Sequence, residues 1–196
     1  MTSIFESVSA VAEWPFYQHV IFDCDSTLSA IEGIDVFAED FDTQEKVVSL
    51  TDAAMSGVTP LDEVYGKRLE LISPSKKAIG QLSKTYQNHM VDDTALVIGA
   101  LQELGCEIYI VSGGLLEPVK EFGMTLGVSA GNIRAVDIQY DQLDGQWWKP
   151  QSRTEDQPYL AYRHSALAES HGKAEVINEL LRNKNCLLYT SPSPRD

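Results

Sequence analysis

The run His19-Val20-Ile21-Phe22-Asp23-Cys24-Asp25-Ser26-Thr27 decides the fold. Three apolar residues follow His19 without polar alternation and end in an acid. That pattern predicts a strand buried in a parallel sheet, with its carboxyl end at Asp23. Two carboxylates two residues apart at a strand end point to the same side. Side by side in one pocket they cannot both stay ionised without a cation. Mg²⁺ suits the place, because it takes oxygen ligands and accompanies phosphate. Asp23 can then serve as an ionised nucleophile toward phosphorus. Asp25 can protonate the leaving oxygen and later activate water. Acids at strand ends are also ordinary loop residues, and a lone Asp-x-Asp is open to that reading.

The pattern recurs downstream. Residues 93–104 read as a helix closed by Gly105, where a left-handed backbone favours glycine. Residues 107–111 read as a second buried strand, followed by Ser112-Gly113-Gly114. A helix over 115–126 ends at Gly127, and another over 173–181 carries Val176, Ile177, Leu180 and Leu181. Strand, helix, strand, helix predicts a parallel α/β sheet. Ligands on such sheets bind at the carboxyl ends of strands, where Asp23 and Ser112 both stand. Residues 133–148 alternate and contain Asp144-Gly145, a hairpin signal. Between Ile31 and Tyr86 no β-rich run occurs. Ile34, Phe37 and Ala38, then Leu69 and Ile72, then Ile79 and Leu82 have helical spacing. Thr59-Pro60 and Ser73-Pro74 predict helix starts, with the hydroxyl residue as N-cap and proline first in the helix. This stretch is read as a small helical insertion.

Two further motifs could handle phosphate. Ser112-Gly113-Gly114 offers a hydroxyl and close backbone N–H groups at a strand-to-helix turn, the makings of a phosphate cradle. It is equally an ordinary turn. Lys173, in His171-Gly172-Lys173, can hold a phosphate oxygen and restrain the nucleophile as a point charge. Alone, a lysine at a helix start is more often solvated surface.

Bulk properties limit the function. The 196 residues suit one domain or a core with a modest insertion, and 43% hydrophobic residues suffice for a core. A net charge of -14 repels phosphate backbones and argues against both nucleic acid and a basic membrane patch. A phosphate bound to so acidic a protein needs local neutralisation by a metal, a lysine or backbone amides. Cys24, Cys106 and Cys186 are odd in number and widely spaced, so neither a disulfide framework nor a zinc site is indicated. The first eleven residues lack the features of a signal peptide, and no stretch approaches a membrane span. The expectation is a cytoplasmic protein with no nucleic-acid or membrane partner; a homodimer is left open.

In this order, the motifs resemble the haloacid dehalogenase superfamily: a strand with Asp-x-Asp-x-Thr, a strand ending in serine, then a downstream lysine. Asp25-Ser-Thr-Leu, Glu32-Gly-Ile-Asp-Val-Phe-Ala, Ala54-Met55-Ser56-Gly57, Arg68-Leu-Glu-Leu-Ile, Val111-Ser-Gly-Gly and His171-Gly-Lys-Ala-Glu-Val-Ile are similar to the phosphoserine phosphatase family. The similarity covers about residues 17–184. It implies a Rossmann-like core of residues 15–29 and 92–185, with a helical cap of residues 30–91. It implies Mg²⁺-dependent hydrolysis of O-phospho-L-serine through an aspartyl-phosphate, the last step of serine biosynthesis. Asp23 would be nucleophile and metal ligand. Asp25 would be general acid/base, its backbone carbonyl on the metal. Ser112, Gly113 and Lys173 would hold the phosphoryl group. Glu32 would meet the substrate ammonium and Arg68 its carboxylate, with Met55 and Gly57 near the closed pocket. From the residues alone, Glu32 could instead be a helix N-terminal acid and Arg68 a solvated or salt-bridged helix residue. A phosphatase or phosphotransferase for another small phosphomonoester, and a non-catalytic binding protein of the same fold, are the rival readings.

One family motif is not found. A Gly-Asp-Gly followed by another aspartate is expected after the Lys173 helix, yet Gly172 is the last glycine. Residues 186–196, CLLYTSPSPRD, form a polar, strand-breaking run that reads like translated adapter sequence, and they are set aside. The expectation is a core incomplete at its carboxyl end, with weak Mg²⁺ binding, little turnover and marginal folding.

Overall fold

Strand β1, His19–Phe22, lies parallel to β2, Glu107–Leu115, with His19 opposite Glu107 and Phe22 opposite Ile110. Strand β3, Ile133–Val136, is parallel to β2 on its other side, giving the order β1-β2-β3. The computed structural model describes residues 17–40, 46–47, 49–50, 61–141, 157–163, 165–169 and 172–182. Parallel strands need long crossovers. Among the described residues the first crossover carries α1 Gly33–Asp40, α2 Leu61–Ile72, α3 Lys76–Asn88 and α4 Thr94–Glu103. The second carries α5, Leu116–Thr125. The last described helix is α6, Gly172–Leu181.

The apolar positions read as helical faces are buried. Ile34, Phe37 and Ala38 of α1, Leu69 and Ile72 of α2, and Ile79 and Leu82 of α3 belong to one core with Ile108, Ile110 and Val111 of β2. Helix α5 packs on β2 and β3, and α3 packs on α5. Helices α4 and α6 both touch β2, so helices flank the sheet. Gly105 and Gly127 have φ of 84° and 81°, the left-handed conformation expected after α4 and α5.

Three expectations need correction. Ser73 is not an N-cap: it has a left-handed φ of 42° and its N–H closes α2 onto the Leu69 carbonyl at 2.7 Å. Ser75 is the cap of α3, accepting from the Ala78 N–H at 3.2 Å. The register moves two residues because Pro74 is held outside the helix, its carbonyl accepting from the Tyr159 N–H at 3.1 Å. Secondly, Ser112-Gly113-Gly114 is no separate turn. Strand β2 continues through it to Leu115, with an irregular register between Val111 and Leu115. Thirdly, the described part of 133–148, residues 133–141, does not pair as one unit. Ile133–Val136 joins the parallel sheet, while β4, Ile138–Tyr140, pairs antiparallel with β5, Tyr159–Tyr162, in a second sheet. The turns expected at Thr59-Pro60 and Asp144-Gly145 lie outside the described residues.

Candidate active site

Beyond β1 the chain folds back on itself. The N–H groups of Thr27, Leu28 and Ser29 all donate to the Cys24 carbonyl, at 3.2, 2.9 and 3.1 Å. Ser26 adopts a left-handed φ of 55° within this turn. Cys24 is fully buried, and burial pushes its thiol well above the ordinary range, so it is an inert wall between the two acids.

Asp23 sits at the carboxyl end of β1, one-third exposed. Its Oδ1 accepts from the Cys24 N–H at 2.8 Å, and its Oδ2 is ion-paired with Lys173 Nζ. Lys173 comes from the first turn of α6, 150 residues away in sequence. Its place depends on Gly172, where a side chain would collide with the Ala166 carbonyl. The result is an accessible carboxylate with the Lys173 amine on one oxygen.

Asp25 is bound differently. Its Oδ1 accepts from Tyr86 Oη at 2.7 Å and from the Gly33 N–H at 3.1 Å. Its Oδ2 faces Ser112 Oγ at 3.3 Å. Burial pushes the Asp25 carboxyl upward, the Tyr86 and Gly33 hydrogen bonds oppose this, and the nearby acids Asp23 and Glu32 add to the rise. Burial thus favours the protonated form of the Asp25 carboxyl, a property that would suit proton transfer. Ser112 is fully buried, and its Oγ also accepts from the Gly114 N–H at 3.0 Å. The carbonyl of Gly113 accepts from Tyr65 Oη of α2 at 2.9 Å.

Asp23, Asp25, Ser112, Gly113 and Lys173 thus meet at the carboxyl end of the sheet. Glu32 adjoins them: its side chain accepts from Ser26 Oγ at 3.2 Å, and its carbonyl accepts from the Asp35 and Val36 N–H groups of α1 at 3.1 and 3.2 Å. Arg68 is one helical turn beyond Tyr65 on α2. Its guanidinium is paired with Asp35 of α1, its side chain is 13% exposed, and its buried Nε has no partner among the described residues. Met55 and Gly57 lie outside the described residues. Sequence reasoning missed Tyr86, Tyr65, Gly33 and Asp35. Tyr86 continues the apolar face of Ile79 and Leu82, and a buried tyrosine there calls for a hydrogen-bond partner; that was the available signal.

Among the described residues no three His, Cys, Asp or Glu side chains gather to hold a metal. The residues that would hold a metal at the loop are Asp23, by its carboxylate, and Asp25, by its main-chain carbonyl. An all-oxygen set fits Mg²⁺, which takes one or two carboxylates and completes its shell with water and phosphate. Among the described residues no helix is long and apolar enough to cross a membrane.

No family model matches the chain. Human phosphoserine phosphatase is 30% identical over 165 residues, covering 84% of this chain and 68% of that protein. A phosphoserine phosphohydrolase-like protein from Francisella tularensis superposes with a TM-score of 0.63 at 24% identity, over 86% of this chain and 83% of that one. A substrate-bound phosphoserine phosphatase superposes with a TM-score of 0.69 at 20% identity, over 88% and 74%. With the haloacid dehalogenase fold in place and a human relative matched over most of both chains, this chain belongs to the phosphoserine phosphatase family.

Proposed function

We propose that this chain carries the machinery for hydrolysing O-phospho-L-serine to L-serine and phosphate through an aspartyl-phosphate on Asp23. The observation that carries the reading is the pairing of Lys173 with one oxygen of Asp23, beside a separately anchored Asp25. Asp23 attacks phosphorus in line as the bond to the serine oxygen breaks, and Asp25 gives that oxygen its proton. In the second half, Asp25 takes a proton from water as the water displaces Asp23 from phosphorus. Lys173, the Ser112 hydroxyl and the backbone at Gly113 hold the phosphoryl oxygens. The Asp23 carboxylate and the Asp25 carbonyl would hold Mg²⁺, which would offset negative charge between carboxylate and phosphoryl group.

Recognition of the amino-acid end falls to the helical insertion of residues 30–91, read as a cap that excludes water from the core of residues 15–29 and 92–185. Glu32 would take the ammonium and Arg68 the carboxylate. Arg68 is supported by its position on α2, whose Tyr65 already reaches Gly113, and by its Nε, unpartnered among the described residues. The reading includes a cytoplasmic location, checked by cell fractionation. Arg68→Lys tests substrate identity, because lysine keeps the charge and loses the planar fork. KM for phosphoserine should rise on the order of 10-fold or more, with little change for a phosphomonoester lacking a carboxylate. An equal rise for both would reassign the substrate to another small phosphomonoester.

A further inference from the structure

We propose that Tyr86 is a positioning residue: it holds Asp25 by Oδ1 so that Oδ2 faces the leaving group. The inference rests on the reading of Asp25 as the proton-transferring carboxyl.

Tyr86 lies near the end of α3, 61 residues from Asp25, and is fully buried. Both of its polar ends are tied to the acidic loop. The hydroxyl donates to Asp25 Oδ1 at 2.7 Å, and the main-chain carbonyl accepts from Ser29 Oγ at 3.1 Å. Its ring stacks on Phe122 of α5, with centroids 5.7 Å apart and an interplanar angle of 20°. The phenol therefore has little freedom to swing away.

The backbone around the hydroxyl is shaped to admit it. A Cβ on Gly33 would collide with the Tyr86 oxygen. A Cβ on Gly114 would stand 3.2 Å from the same oxygen and 2.6 Å from Asp25 Oδ2. Two strand-end and helix-start residues thus lack side chains where the tyrosine meets the acid. A phenylalanine would fill the same hole without demanding a buried acceptor.

The consequence is an asymmetric carboxyl. Among the described residues Oδ1 accepts two hydrogen bonds, while Oδ2 has only the longer Ser112 contact, and that hydroxyl can rotate. A proton on Asp25 belongs on Oδ2. As Asp23 bonds to phosphorus, the electron pair of the breaking P–O bond passes to the leaving oxygen, which takes that proton.

The test compares leaving groups. In the full-length protein supplied with Mg²⁺, single-turnover phosphorylation is measured with phosphoserine, whose alkoxide needs a proton, and with p-nitrophenyl phosphate, whose phenolate does not. Tyr86→Phe keeps the ring. It should slow phosphoserine roughly 10-fold, with p-nitrophenyl phosphate within about 2-fold and KM for phosphoserine unchanged. Equal losses on both esters, or none on either, would overturn the proposal. Gly33→Ala, which displaces the hydroxyl while retaining it, is a second variant expected to give the same selective loss. Asp25→Asn separates the two levels. If it turns over phosphoserine at the parent rate, the underlying reading of Asp25 fails and takes the proposal with it. If it is inactive while Tyr86→Phe matches the parent, the positioning role alone fails.

Discussion

At the scale of single residues, glycines set the site's dimensions. Gly172 packs against the Ala166 carbonyl so closely that a methyl group has no room, and backbone cannot rotate aside as a side chain can. Gly172→Ala should therefore destabilise the fold by roughly 1–3 kcal/mol, as overpacking does, and pull Lys173 off Asp23. Urea unfolding measures the first effect and turnover the second; unchanged stability would contradict this account of the helix start. Gly114→Ala aims its methyl at Asp25 Oδ2 instead. Its expected signature is a large drop in kcat with a smaller loss of stability. Asp23, Asp25 and Lys173 were legible in the sequence because they stand at or just beyond an element's end or start, and Ser112 because it follows the apolar run of β2, although that strand continues to Leu115. Gly172 was legible only as a neighbour of Lys173, since the Ala166 carbonyl that requires it is brought close by tertiary folding.

At the scale of elements, the helical insertion was readable and its joints were not. Apolar spacing marked α1, α2 and α3 correctly, since each buries one face in the common core. The start of α3 was misread because Ser73-Pro74 fits the local rule for a cap equally well. What decides the register is long-range: Lys76 N–H donates to the Gln157 carbonyl at 2.9 Å, and Tyr159 N–H to that of Pro74. Ser75→Ala should then cost about 1 kcal/mol of stability, a typical N-cap loss, whereas Ser73→Ala should cost less. Thermal unfolding of the two variants decides it, and a larger loss at Ser73 would restore the sequence-based cap. Tyr65 also belongs to this scale. Its bond to the Gly113 carbonyl ties α2 to the end of β2, and no local pattern predicts a contact 48 residues distant.

At the scale of the whole molecule, the parallel order of β1 and β2 follows from their apolar runs. The departure of β4 into a second sheet does not, because alternation alone cannot say which partner a strand takes. Ile110 stands at the centre: it is fully buried, lies opposite Phe22 and Ile133, and approaches Gly123 of α5. Ile110→Ala should destabilise by about 2–5 kcal/mol, a large share of a domain's total stability. Equilibrium denaturation measures it, and a loss near zero would mean that the core lies elsewhere. The sheet in turn fixes where the chemistry stands, since pairing Phe22 with Ile110 brings Asp23 and Ser112 to the same crest.

The most direct test traps the phosphoryl group on the protein. The full-length protein, with Mg²⁺, is mixed with phosphoserine, quenched in acid and reduced with borohydride, which converts an aspartyl-phosphate to homoserine, and the modified residue is located by mass spectrometry. The account predicts homoserine at position 23, and none in Asp23→Asn. Modification at another residue, or full turnover by Asp23→Asn, would contradict it.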